Sequence, residues 1–335
     1  MATIEIPNAK ISFDCPPDDT ILRAGLRAGL GMAYECNVGS CGNCRFELIE
    51  GQVESLYPEA PGLQERDKQR NRHLGCQTRA LTDCKIKVPM RDDYKARIKP
   101  LRTTGELIAI EDVTHDIREF RFRLAAPNPF LPGQYGLIGI PGVHGARAYS
   151  MCNVTSSGEE WHFQIKRVPN GKGTGALFES LRKGDRVDLD GPYGNAFLRE
   201  DSARDILCIA GGSGLSPMIS IARAVAASPA LAGHKLHFVY GGRATRDLAG
   251  EKFLRELPGW GTTIFYHAAL SHTTPEEGWT GWTGFVHEAA KEIVEGKLAD
   301  HEIYFAGPPP MTEAVMRMAI ENKVPVTQLH YDRFY

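Results

Sequence analysis

The chain begins with apolar residues at every second position. In "ATIEIPNAKISFDC" they alternate with polar ones on both sides of Pro7-Asn8, which predicts two short strands joined by a turn. The period then changes. In "DDTILRAGLRAGL", Ile21, Leu22, Leu26 and Leu30 fall at helical spacing behind N-cap candidates. Alternation returns in "CRFELIEGQVES", which predicts a strand pair turning at Gly51. "MRDDYKARIKPLRTTG" is polar, charged and interrupted by Pro100, and predicts a linker. Strands resume in "GELIAIEDVTHDIREFRFRL". From Asp205 the pattern becomes strand followed by helix, first in "DILCIAGGSGLSPMISIARAVAAS" and again from "HKLHFVYGGRATRDL" to "EIYFAGPPPMTEAVMRM".

At 335 residues the chain has room for two or three domains, each with its own core. A net charge of -2 leaves no electrostatic footprint for nucleic acid or an anionic membrane. No apolar run is long enough to cross a bilayer, and "MATIEIPNAK" lacks the charged-then-apolar design of a signal peptide. The expectation is a soluble cytoplasmic protein that engages neither nucleic acid nor membrane.

Eight cysteines are too few and too unevenly placed for a disulfide scaffold in a chain of this length. Cys36, Cys41 and Cys44 follow C-x4-C-x2-C, and Cys76 supplies a distant fourth sulfur, the spacing that holds a [2Fe–2S] cluster. A zinc ribbon would show two matched C-x2-C pairs, and there is only one. Gly39, Ser40, Gly42 and Asn43 keep bulk out of a loop that must wrap a cluster. Cys15, Cys84, Cys152 and Cys208 have no ligand spacing and read as small buried apolar residues. Residues 1–92 resemble a plant-type ferredoxin domain of the β-grasp kind.

Beyond a linker at 93–102, Arg147-Ala148-Tyr149-Ser150 resembles the flavin-binding signature of the ferredoxin–NADP reductase superfamily. The resemblance implies an antiparallel Greek-key β-barrel over 103–202 that binds FAD, with FMN the alternative. Arg147 would pair with pyrophosphate, Tyr149 lie against the isoalloxazine, and Ser150 reach the ring edge near N5. "HFQIKRVPNGKGTGALFESLRKGDRVDLDGPYGNAFL" follows at the family's distance and adds Lys166, Val168, Gly171, Gly173 and Thr174. The last three offer donors to phosphate just before a helix in "GALFESL".

Residues 203–335 read as a parallel-sheet α/β nucleotide domain. Gly211, Gly212, Ser213 and Gly214 form a turn that lets a pyrophosphate approach the backbone, with Ser216 as N-cap and Pro217 in the first helical turn. Arg243 stands where the family places the adenosine ribose. Arg243 and Arg246 could meet a 2′-phosphate, but no serine–arginine–tyrosine set for NADPH accompanies them, which favours NADH. "AGPPPM" resembles the family's C-G-P-P-P-M motif and supplies Gly307, Pro308 and Met311. Ala306 replaces its cysteine, a departure that touches hydride transfer and not nucleotide binding. Relatives cover the flavin with a C-terminal aromatic, a role that falls to Phe334 first and Tyr335 second. Ser150 and Phe334 are then the residues closest to the reacting ring.

A nicotinamide delivers two electrons together and a [2Fe–2S] cluster accepts one, so a flavin between them divides the pair. "YPEAPGL", "RAYS", "ENKVP" and "HYDRF" look most like the NADH-dependent reductases of toluene-type diiron monooxygenases, components of bacterial multicomponent oxygenases. That resemblance implies electron transfer to a Rieske ferredoxin or to the hydroxylase itself. The reductase of a Rieske aromatic-ring dioxygenase shares every motif. An iron–sulfur redox sensor is the reading from another class, and it would not need the nicotinamide and flavin apparatus.

Overall fold

The computed structural model describes residues 1–333. In the first unit β1 (Ala2–Ile6) and β2 (Ile11–Cys15) form the predicted hairpin. Helix α1 (Ile21–Arg27) starts at Thr20, whose hydroxyl accepts the Arg23 N–H at 3.4 Å. Then come β3 (Arg45–Glu50), β4 (Val53–Ser55), α2 (Glu65–Lys68), β5 (Arg72–Leu74), β6 (Thr78–Ala80) and β7 (Cys84–Lys87). The sheet order is β2-β1-β7-β3-β5, with β1 and β7 parallel. The expected β3–β4 pair is not formed. Both edges of β3 are occupied, by β5 and β7, so after the Gly51 turn β4 pairs with β6 instead.

The stretch expected as a linker is held at both ends. Arg91 donates its N–H to the Gly31 carbonyl at 2.8 Å, Tyr94 packs 6.0 Å from Tyr34, and β8 (Leu101–Asp112) already begins at Leu101. The second unit continues with β9 (Ile117–Leu124), β10 (Tyr135–Gly139), β11 (Arg147–Ser150), β12 (Glu160–Lys166), α3 (Lys172–Glu179) and β13 (Arg186–Tyr193). Its strand order is β11-β10-β13-β8-β9-β12, every pair antiparallel. A bridge between Met151 and Phe163 joins the two edges and closes the barrel. Phe120, Phe122, Trp161, Phe163 and Ile165 fill its interior. By the two-residue period, Glu119, His162, Gln164 and Lys166 fall on the outer face. Helix α3 starts three residues earlier than expected, because the Thr174 hydroxyl accepts the Val168 N–H at 3.1 Å and draws Gly173 and Thr174 into the first turn.

The third unit consists of β14 (Asp205–Gly211), α4 (Leu215–Ala227), β15 (Leu236–Gly242), α5 (Glu251–Arg255), β16 (Ile264–Leu270), β17 (Trp282–Thr283), α6 (Val286–Ile293), β18 (His301–Gly307), α7 (Pro309–Glu321) and β19 (Leu329–Arg333). All its strands are parallel, in the order β17-β16-β15-β14-β18-β19. Helices α4 and α5 cover one face and α6 and α7 the other. Ser216 is not an N-cap. Gly212–Gly214 forms a tight helical turn that runs straight into α4, leaving Ser216 one position inside the helix with its hydroxyl turned toward the barrel.

Candidate functional site

Between α1 and β3 the chain wraps a tight loop that carries Cys36, Cys41 and Cys44, and the turn after β5 adds Cys76, so the four predicted sulfurs meet in two contacting pairs. The Cys36 and Cys41 thiols share a hydrogen bond that brings Cys36 down to about 5 and drives Cys41 up. The bond between Cys44 and Cys76, with burial behind it, likewise raises Cys44. Backbone N–H groups aim at the sulfurs, Cys41 N to Cys36 Sγ at 3.3 Å and Asn43 N to Cys41 Sγ at 3.4 Å. Gly42 makes the wrap possible. Its φ is +77°, and a Cβ there would lie 2.6 Å from the Gly62 carbonyl oxygen. Four soft sulfur donors ringed by amide donors suit an iron–sulfur cluster. Cys15, Cys84, Cys152 and Cys208 are buried.

A cavity of about 370 Å³ lies beside this loop. It brings Arg147, Ala148, Tyr149 and Ser150 of β11 together with Lys166, Val168, Gly171, Gly173 and Thr174, and the cluster loop contributes Glu35, Cys36 and Val38 to its wall. Ser150 Oγ, Gln164 Oε1, Glu35 Oε1 and Asp332 Oδ2 all border it, buried and with no hydrogen-bond partner among the described residues. A flat ring edged with N–H and C=O groups fits such a lining, with the Tyr135 and Tyr149 rings adding apolar wall, so the residues present suit an isoalloxazine.

Three of the predicted flavin residues are partly committed elsewhere. One terminal nitrogen of Arg147 donates to the His144, Gly145 and Ala146 carbonyls at 3.0–3.2 Å, while its stem borders Gly173 in the first turn of α3. Lys166 is already paired with Asp116 at 2.8 Å. The Thr174 hydroxyl closes its own loop instead of projecting freely. Burial pushes the Tyr149 phenol up to about 12. Phe334 and Tyr335 lie outside the described residues. Sequence reasoning missed Gln164, Glu35 and Asp332 as lining residues. The detectable signal at Gln164 was a lone amide in the otherwise apolar, aromatic and charged strand "WHFQIK".

The predicted nucleotide residues gather at the carboxyl ends of β14, β15 and β18, where parallel α/β sheets bind ligands. A Cβ on Gly211 would meet Met311 Sδ at 2.7 Å, and one on Gly214 would lie 1.9 Å from the Ala306 carbonyl, so the turn packs directly on β18 and α7. Pro308 precedes α7 and Pro217 sits in the first turn of α4. Gly212 and Ser213 form the turn itself, with Ser213 reaching the flavin cavity. Arg243 is exposed at the end of β15, and its N–H donates to Asp247 at 3.0 Å. Ala306 is wholly buried between Ala210 and Asp332.

Hydrogen bonds hold the three units around these sites. Arg27 of α1 grips Asp190 of β13 through both carboxylate oxygens at 3.0–3.1 Å, and the Tyr135 hydroxyl donates to the Glu35 carbonyl. On the other side, Ser220 and Arg223 of α4 donate to the carbonyls of Asn153 and Cys152, each at 2.8 Å.

Together on one frame, the sulfur loop, the adjoining cavity and the nucleotide crevice define an iron–sulfur flavoprotein that oxidises a nicotinamide dinucleotide. Residues 4–81 match the 2Fe-2S iron-sulfur cluster binding domain family, 104–197 the oxidoreductase FAD-binding domain and 208–317 the oxidoreductase NAD-binding domain. The chain is 40% identical to ferredoxin–NAD(P)+ reductase CarAd of Metapseudomonas resinovorans, over 96% of each protein. It is 36% identical to the ferredoxin–NAD+ reductase component of the alkene monooxygenase system of Xanthobacter autotrophicus, over 96% of this chain and 98% of that one. The solved ferredoxin reductase in carbazole 1,9a-dioxygenase superposes with a TM-score of 0.92 at 37% identity, covering 100% of this chain and 98% of that one. The chain belongs to the family of ferredoxin–NAD(P)+ reductases that serve oxygenase systems, oxidoreductases that carry electrons from NAD(P)H by way of FAD and a [2Fe–2S] cluster. Among the described residues no helix is long and apolar enough to cross a membrane.

Proposed function

We propose that this chain is the NADH-dependent reductase of a toluene-type aromatic hydrocarbon monooxygenase system and passes single electrons to a Rieske ferredoxin or to the hydroxylase. One observation carries the electron-transfer route. The flavin cavity and the cluster loop share a wall, since Cys36 and its neighbours Glu35 and Val38 line the same space as Tyr149 and Ser150. FAD bound there supplies the conversion from a two-electron donor to a one-electron acceptor.

The chain's own residues do the placing. Tyr135 and Tyr149 exclude water from the cavity, while the buried Ser150 hydroxyl is free to hydrogen-bond a ring edge. Gly173 and the N-terminal turn of α3 receive phosphate oxygens beside Arg147. Gly211, Gly212, Gly214, Gly307, Pro308 and Met311 would hold the dinucleotide beside Ser213, which lines the cavity. Cys36, Cys41, Cys44 and Cys76 hold the iron.

A second reading, the reductase of a Rieske aromatic-ring dioxygenase, is favoured by the likeness to the carbazole 1,9a-dioxygenase reductase. Stopped-flow mixing of the anaerobic, NADH-reduced protein with candidate acceptors separates the two. Rapid reduction of a toluene-type Rieske ferredoxin or diiron hydroxylase supports the first reading. Rapid reduction confined to a dioxygenase ferredoxin supports the second, and reduction of none of them overturns both.

A further inference from the structure

Gln164 is 2% exposed and fixed at two points. Its backbone N–H donates to Ser216 Oγ at 3.1 Å, which locks the strand to α4. Its side-chain Nε2 donates to Glu119 Oε2 at 2.9 Å, directly across the β9–β12 pair. The remaining atom, Oε1, is buried without a partner among the described residues, and Gln164 lines the cavity. An amide carbonyl left in that condition is destabilising unless a donor meets it.

Which end of the amide faces the cavity follows from Glu119. Burial pushes the Glu119 carboxyl up, but hydrogen bonds from Gln164 and Arg121 and the charges of Arg121 and Arg223 outweigh it and hold the group below the usual carboxylate range. An ionised carboxylate only accepts, so it takes the NH2 end of the amide and turns the carbonyl the other way. Arg121 Nε holds Glu119 Oε1 at 2.7 Å, and the Cys152 thiol lies 3.6 Å from Oε2. The carboxylate is therefore braced from its own strand and from the chain beyond β11.

We propose that Gln164 is a ligand-binding residue of the cavity, whose Oε1 accepts a hydrogen bond from an N–H of the bound group, and that Glu119 is a positioning residue that prevents the amide from turning over. The proposal rests on the flavin and nicotinamide reading above. Two bound groups offer such a donor, the isoalloxazine ring and the nicotinamide carboxamide.

The test uses cluster-loaded protein, stripped of FAD and titrated with FAD by fluorescence quenching, then FAD-loaded protein titrated with NAD+. Gln164→Leu is expected to weaken one of the two dissociation constants about fivefold to tenfold. Weaker FAD assigns the donor to the flavin, and weaker NAD+ assigns it to the carboxamide. Both constants unchanged would overturn the proposal. Glu119→Gln, which can present either end to Gln164, should weaken the same constant by a smaller factor and add nothing in the Gln164→Leu background. An additive effect there would reduce Glu119 to a structural residue. Gln164→Met, unbranched like glutamine, repeats the test if the leucine variant loses its cluster spectrum or thermal midpoint. Bleaching of the wild-type flavin by NADH checks the underlying reading separately, because it does not depend on either variant.

Discussion

The Ser216 hydroxyl donates to the Ser150 carbonyl at 2.6 Å, joining the first turn of the α4 helix to the last residue of the R-x-Y-S strand. The same oxygen accepts the Gln164 N–H, so one side chain ties together both strands that wall the flavin cavity. Ser216 is 1% exposed, and its removal would leave a buried carbonyl and a buried N–H unpaired. Ser216→Ala should therefore lower stability by about 1–3 kcal/mol in urea unfolding. It should also slow flavin reduction by NADH, because the nucleotide half loses its fixed registry on the barrel. Ser216→Thr keeps the hydroxyl and should recover most of both losses. Equal stability and rate for the alanine variant would contradict this account.

The cluster loop yields a prediction that separates the two redox sites. Cys41 is the most accessible of the four proposed ligand cysteines and also receives the Asn43 N–H. Cys41→Ala should abolish the visible absorption and bound iron of the cluster. NADH-to-ferricyanide activity should persist, since that path needs the nucleotide and flavin sites but not the cluster. Reduction of a Rieske ferredoxin should fall to background. Loss of ferricyanide activity in a variant that still binds FAD would show that the two sites are not separable in this way.

Arg27 links the cluster unit to the barrel. Beyond its two bonds to Asp190 it donates to the Tyr193 hydroxyl at 2.9 Å and pairs with Asp19 at 3.2 Å. Its side chain is 17% exposed and that of Asp190 14%, so breaking the pair leaves a largely desolvated carboxylate. Arg27→Ala should cost about 2–4 kcal/mol, below the fully buried case because solvent still reaches both groups. Arg27→Lys should restore little, since an ammonium cannot match the two carboxylate oxygens together. Hydrogen exchange should rise first in α1 and β13. Uniform exchange throughout the chain would point to a global loss of stability instead of local undocking.

What the sequence disclosed follows from where each interaction lies along the chain. The cysteine loop and the R-x-Y-S strand announce themselves because their chemistry is set by neighbours a few residues apart. The strand and helix periods were legible for the same reason. β4 was misread because strand partners are chosen by the sheet, and β3 had none to spare. Ser216 looked like a cap because serine near a helix start usually is one. Its actual partner lies 66 residues away. Gln164 and Glu119 are 45 residues apart, brought face to face by the β9–β12 pairing and covered where α4 bonds to the same strand. Local periodicity carries no record of such pairings.

Asp332 supplies the pH prediction. It is buried on β19 at the cavity wall, and burial, reinforced by the nearby Glu35 charge, pushes its carboxyl up to about 7. The unfolded chain releases that proton near the ordinary value of about 3.9. Between these values the folded protein holds a proton that the unfolded chain has lost, so stability falls as pH rises through the window. The slope from this one group is at most about 1.4 kcal/mol per pH unit. Asp332→Asn mimics the protonated acid and cannot ionise. In urea unfolding of flavin-stripped protein at pH 5 to 8.5, the variant should therefore gain on wild type as pH rises and level off above about 7.5. A constant difference across that range would show that Asp332 is already ionised in the folded protein, and the unpartnered Oδ2 would then need a donor that the described residues do not supply.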